Sequence, residues 1–346
     1  MSLQTLLLYG TAIVAAVGAI VLLLRVVWLI QGAYRIRRAG PRRLLATQHT
    51  IWRDPGEVEA LDLGNGPGGA DGAPAPPFTF IEEHLNGSQP CVSVTDRRGR
   101  HWRVKWGNEV RAENFAVRMV WACGYHAEVT YFIEAGQIAG AQALQRANAC
   151  IADDCSFHEA RFELDDPAVR KLFEEHSWAW NDNPFIGTPQ LNGLKVLVML
   201  LADWDTKDRR DVARGSNTAI FEHRVGRWRR EARYLITDWG GSMGRWGSTV
   251  VTRGRWDPDG FEAQNAEFVT GRDGEMVRFG YVGQRTGDIA AGISVDDVRW
   301  LCRYLGRITD QQLRSALAAS GASGDEARQF TRAIRGRVEQ LLKSCA

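Results

Sequence analysis

At 346 residues, 45% apolar and 24% charged, the chain is long and apolar enough to bury one large core or two ordinary ones. A formal net charge of +2 carries no electrostatic footprint for nucleic acid, which is therefore not an expected partner. The six cysteines, at 91, 123, 150, 155, 302 and 345, follow neither a disulfide framework nor a zinc spacing, and with no fourth ligand beside Cys150, Cys155 and His158 they read as reduced thiols.

In chain order, residues 3–24 (LQTLLLYGTAIVAAVGAIVLLL) form 22 uncharged, mainly apolar positions, long enough for a helix to cross a bilayer core of about 30 Å. The run lacks a charged lead-in and is too long for a cleaved signal peptide, so it reads as a retained anchor. No Lys or Arg precedes it, whereas Arg35, Arg37, Arg38, Arg42 and Arg43 follow. That asymmetry predicts a single-pass protein of the inner (cytoplasmic) membrane, with the N-terminus outside and the C-terminal body cytoplasmic. Residues 1–43 are thus expected to be a transmembrane anchor with a basic juxtamembrane segment. Residues 44–77 follow as a membrane-proximal segment, whose GNGPGGADGAPAPP stretch at 64–77 reads as a linker or extended surface loop.

The body opens with CVSVTDRRGRHWRVKWG, a predicted hairpin whose polar turn contains Gly99. Helical spacing over 109–123 stops at Gly124, and a strand-like run covers 129–135. Residues 191–202 are apolar nearly all round, as in a buried helix. Beyond 294 the pattern is helical, with cap pairs Ser294/Asp297, Thr309/Gln312 and Ser323/Glu326. Thirteen scattered tryptophans are most simply core or interface residues.

Two segments carry chemistry. LLADWDTKD at 200–208 ends an apolar run with Asp205 and Lys207 two apart, and YLITDWGG at 234–241 places Asp238 after a short β-like run. An Asp-x-Lys loop, a strand and an Asp-aromatic-Gly turn form the skeleton of a phosphoryl-transfer site, where one carboxylate handles the acceptor proton and another holds magnesium. Upstream, Lys105 in WRVKW shares a strand face with Arg103 and His101, while Trp102, Val104 and Trp106 point the other way. Glu113 falls in the first turn of the following helix. The turn Gly87-Ser88-Gln89-Pro90 can aim backbone N–H groups at a phosphate, and no G-x-G-x-x-G loop occurs between 78 and 105.

Taken in order, GSQP, WRVKW, RAENF, DWDTKD and ITDWGG resemble the protein-kinase-like superfamily, in particular uncharacterised bacterial kinase-like proteins and, more distantly, HipA-type kinases. The resemblance implies an α+β, two-lobed protein-kinase-like fold, with a β-rich small lobe at 78–135 and a helical large lobe at 136–346 behind the transmembrane helix. It implies Asp205 and Lys207 as catalytic residues, Lys105 (paired with Glu113), Gly87 and Ser88 as nucleotide-binding residues, and Asp238 as a magnesium ligand, with ATP and Mg2+ as cofactors. The family's second ligand, an asparagine five residues after the catalytic aspartate, is replaced here by Arg210, followed by Asp211. Two substitutes are open, Asp211 turned inward or, across an extended loop, Asn217 just before the strand-like TAIFEH, and Asn217 is the expected one. A His-Arg lead-in is replaced by Asp203-Trp204, and an Ala-Pro-Glu segment is missing. The implied function is a membrane-anchored, ATP- and Mg2+-dependent phosphotransferase of atypical type, acting on a protein, lipid or small molecule. The alternative is a catalytically inactive kinase-like scaffold, or an accessory subunit of a membrane protein complex.

Overall fold

Alternation of apolar and polar residues dictates the first half of the body. In β3 (Cys91–Thr95) and β4 (His101–Lys105), Val92, Val94, Trp102 and Val104 point to one face and are fully buried. The computed structural model describes Ala19 and residues 44–85, 89–172, 178–205, 217–283 and 289–346. In it these two strands form the predicted hairpin and join β2 (Phe78–His84), β5 (Thr130–Ala139) and β6 (Ser156–Leu164) in a closed barrel of order β2-β3-β4-β6-β5. The seam is a short parallel pairing, Phe78 opposite Ile138 and Thr79 opposite Ala139. An irregularity in β2 between Phe80 and Glu82 adds local twist of the kind that lets a sheet curl onto itself. So small a barrel has no lumen; Phe78, Trp102, Phe157 and Phe162 fill it.

Helix α1 (Val110–Ala122) lies against the outer face of β5 and β6 and ends before Gly124, as its spacing predicts. Residues 64–77 are laid along the barrel. Arg100 donates to the carbonyls of Gly72 and Ala73 at 2.9 and 2.5 Å, and the Tyr131 hydroxyl donates to Gly69 O at 2.7 Å. With few side chains in the way, this backbone meets the barrel wall directly.

A second sheet, of order β1-β9-β8-β7, follows from β1 (Gln48–Thr50), β7 (Arg170–Leu172), β8 (Thr218–Arg224) and β9 (Arg230–Ile236). β8 and β9 are antiparallel, whereas β1 runs parallel to β9 at one edge. The fully buried Glu222 carboxylate accepts the amides of Leu45 (2.5 Å) and Ala46 (2.7 Å) and pairs with Arg170.

Helix α2 (Pro189–Leu200) starts on an N-cap Thr188 with proline in its first turn and is buried along most of its length. It is followed by α3 (Pro258–Ala263), a hairpin of β10 (Val269–Asp273) and β11 (Met276–Phe279), then α4 (Val295–Leu305), α5 (Asp310–Ala318) and α6 (Gly324–Ser344). The last three begin with the reciprocal cap pairs read from sequence. On α6, Arg337 is fully buried with no carboxylate beside it among the described residues: it donates to Leu200 O and Phe261 O at 2.7 Å and Asn265 Oδ1 at 2.8 Å, and its guanidinium lies 3.6 Å from the Phe261 ring centroid.

Three expectations are corrected. The architecture is α+β with a closed five-stranded barrel and, among the described residues, six α-helices, rather than the expected two-lobed kinase-like arrangement behind a transmembrane helix. β-structure does not stop at 135: the barrel closes only through Leu164, and β8, β9 and the β10–β11 hairpin lie in the half expected to be helical. The strand-like TAIFEH and the β-like run before Asp238 become β8 and β9, whereas the β10–β11 hairpin is a strand pair the helical reading does not contain. The single-pass, inner-membrane placement is corrected as well. Among the described residues no helix is long and apolar enough to cross a membrane, and the run at 3–24, apart from Ala19, lies outside them.

Candidate functional site

Lys105 ends β4 on the outer barrel face, beside the helix α1 that carries Glu113. Glu113 is buried, but its ion-pair partner is Arg161 of β6, at 2.8 Å. Arg161 reaches Glu163 with its other terminal nitrogen at 2.8 Å, and Glu163 approaches Lys105 at 3.9 Å and Lys171 at 3.5 Å. The expected Lys105–Glu113 pair is therefore corrected to a relay, Glu113–Arg161–Glu163–Lys105. Strand geometry explains it: Arg161 and Glu163 are two apart on β6, opposite Lys105 and Arg103 of β4, so all four project to one face.

Burial drives the Glu113 carboxyl up to about 7, against the pull of Arg161 and Lys105 and with smaller pushes from Asp238 and Glu109. Burial would likewise raise Glu163, but Lys105, Arg161 and Lys171 hold it well below the usual carboxylate range. Burial works against the Arg161 charge too, and Glu113, Glu163 and Glu128 outweigh it. Lys105, Glu113 and Asp238 thus share one electrostatic neighbourhood.

Beyond α2 the chain turns through Ala202, whose φ of 58° is left-handed, into Asp203. Asp203 is fully buried; its carboxylate accepts the Asp205 amide at 3.2 Å, and its carbonyl accepts the Tyr281 hydroxyl. It braces the loop and leaves Asp205 as its more exposed acid. Trp204 points into the protein, donates to Gly254 O at 2.9 Å and lies under the guanidiniums of Arg253 and Arg255, at 4.0 and 4.7 Å from its ring.

Asn217 sits one residue before the β8–β9 ladder begins, at Thr218 opposite Ile236. Its φ is 59°, a left-handed conformation that asparagine tolerates better than most residues. Its carbonyl accepts Thr237 N–H at 3.0 Å and its Nδ2 donates to Asp205 O at 2.9 Å. One residue past Thr237, Asp238 closes a turn by accepting Gly240 N–H at 3.0 Å.

The two glycines of this turn are required by close approach on both sides. A Cβ on Gly240 would lie 2.9 Å from the Glu109 carboxyl carbon, and one on Gly241 would lie 2.6 Å from Asp203 Oδ1 and 3.0 Å from Asp205 N. The Asp238 turn is therefore wedged between the start of α1 and the Asp203–Asp205 loop. Arg255 ties the same corner together through Glu109 at 3.1 Å.

The structure thus gathers Asp205, Asn217 and Asp238 at one end of the β8–β9 ladder and places Lys105 and Glu113 alongside. Gly87, Ser88, Lys207, Arg210 and Asp211 lie outside the described residues. Among the described residues no cluster of three or more His, Cys, Asp or Glu side chains is arranged for a metal. A magnesium ion held mainly by phosphates and water needs only one or two protein oxygens, and Asp238 and Asn217 are the residues that would supply them. Sequence reasoning missed Arg161, Glu163, Glu109 and Arg255. The first two had a signal: in ARFEL, charges alternate with apolar residues, placing two opposite charges on one strand face. Comparison with protein-family models, curated proteins and solved structures gave no match.

Proposed function

We propose that the body is a phosphotransferase using a magnesium-bound nucleoside triphosphate, with Asp205, Asn217 and Asp238 at the reacting end and Lys105 at the phosphate-binding end. The observation that carries this reading is the tie from Asn217 to Asp205 at the mouth of the ladder leading to Asp238. It supplies a carboxylate able to accept an acceptor hydroxyl's proton and an amide and a carboxylate on neighbouring strand ends. Bound magnesium would neutralise developing charge on the phosphates. Lys105, kept beside Glu163, presents a localised cation to the same ligand.

The experiment is a pair of measurements on the full chain. ATP with magnesium is expected to raise the melting temperature, an effect lost in Asp238→Ala, and labelled phosphate transfer is expected to vanish in Asp205→Asn. No shift of the native chain at millimolar ATP and magnesium would overturn the proposal. One observation favours the second reading, a catalytically inactive scaffold: Glu113 is already occupied by Arg161. Under that reading the thermal shift persists while transfer is absent from the native chain as well.

A further inference from the structure

On the other side of the Glu163–Lys171 pair lies a cavity of about 360 Å³ that the phosphotransferase reading does not use. Its volume falls within the roughly 300–1,000 Å³ of ordinary small-molecule sites. Part of its wall is apolar, formed by Trp121, Tyr125, Val129, Leu164, Phe221 and Leu235. At one end the lining changes to Arg53, His126, His223 and Arg233, contributed by the segment after β1, the segment after α1, β8 and β9.

These groups are close enough to oppose one another's charge. Burial first, and then Arg233, push the His126 imidazole down to about 3; the same two influences push His223 down to about 4. Arg53 and His223 add to the effect on His126, while Glu231 opposes it. The acids at this end are fewer than its cations need, because two guanidiniums share one buried carboxylate. Glu231 is shared by Thr50, Arg53 and Arg233, at 2.9, 3.0 and 3.2 Å. Asp54 accepts the Gly56 amide and Asp166 the Ala168 amide, each closing its own turn. Burial and the neighbouring Glu163 raise the Glu128 carboxyl, which favours its neutral form. Lys171, also in the lining, is ion-paired with Glu163 and Asp165 at 3.5 and 3.4 Å.

We infer that this cavity binds a small amphipathic monoanion, its apolar body against Trp121, Phe221 and Leu235 and its carboxylate or equivalent at His126, His223 and Arg233. The anion adds to the one carboxylate, Glu231, that Arg53 and Arg233 share, and favours the charged imidazoles, so binding takes up protons. This inference is independent of the phosphotransferase reading.

The test is titration calorimetry of the full chain with octanoate, octan-1-ol and inorganic phosphate, together with NMR of its histidine ring protons. Octanoate is expected to saturate one site and to bind at least about ten-fold more tightly than octan-1-ol, a difference of about 1.4 kcal/mol. Its affinity should rise as pH falls from 8 to 6, with a heat that depends on buffer ionisation enthalpy, and the His126 and His223 resonances should move toward the protonated position. His223→Gln, whose ring makes no hydrogen bond among the described residues, should weaken octanoate and spare octan-1-ol. Equal binding of octan-1-ol, equal binding of phosphate, or no saturable octanoate binding would each overturn the inference.

Discussion

Asn217 holds the Asp205 carbonyl through its side chain at 2.9 Å and the Thr237 amide through its backbone at 3.0 Å, so one residue joins the Asp205 loop to the strand that delivers Asp238. Its left-handed backbone separates two of its contributions. Asn217→Gly keeps the conformation and removes the amide, whereas Asn217→Ala removes the amide and adds a backbone cost of roughly 1 kcal/mol. Both variants are expected to lose labelled phosphate transfer, and thermal melts should rank the glycine variant above the alanine one. Equal melting temperatures would show that the φ of this residue carries no cost.

Gly241 has no room for a methyl group between its turn and the Asp203–Asp205 loop. Gly241→Ala is expected to push Asp205 away from Asp238, costing roughly 1–3 kcal/mol in urea unfolding. It should weaken the ATP–magnesium thermal shift as well. An alanine variant with native stability and a native shift would show that the two segments move apart freely.

The buried relay predicts unequal mutational costs. Arg161→Met strands the Glu113 and Glu163 carboxylates without their shared cation and should cost about 3–5 kcal/mol. Glu113→Gln leaves Arg161 its second partner, Glu163, and should cost less. Denaturant melts of both variants and of the double variant check this ordering. In the double variant, part of the Arg161→Met loss should be recovered because one stranded charge is gone.

His126 makes stability depend on acidity in a definite direction. Burial and Arg233 hold its pKa at about 3 in the folded chain, below the ordinary imidazole value. Between about pH 6.5 and pH 3 the unfolded chain takes up a proton that the folded chain does not, so stability falls as pH falls through that window. The loss attributable to this ring at pH 5 is on the order of 2 kcal/mol. His126→Gln should flatten the dependence, read as urea midpoints at pH 7 and pH 5.

Local structure was legible where side-chain pattern alone decides it. The hairpin around Gly99, the helix at 110–122 and the three C-terminal cap pairs follow from alternation, helical spacing and reciprocal hydrogen bonding over three residues. The barrel was not legible, because its closure rests on Phe78 meeting Ile138 across 60 residues of sequence, and no local pattern encodes that pairing. At the candidate site, the grouping of Asp205, Asn217 and Asp238 was readable from motif order. The partner of Glu113 was not: both Lys105 and Arg161 are cations on strands facing α1, and only the strand order places Arg161 nearer.

The parallel edge strand has a consequence for the order of assembly. Gln48 pairs with Glu231, and the Leu45 and Ala46 amides need the Glu222 carboxylate, partners that follow them by 176 residues or more. Closing so long a loop is slow compared with forming a hairpin. During synthesis the barrel strands at 78–164 therefore find one another first, while the earlier-made segment at 45–50 waits for β8 and β9 to emerge. The first strand of the body in sequence is the last to find its place, and until it docks, the β9 edge and two buried glutamates stand open to any other extended chain nearby.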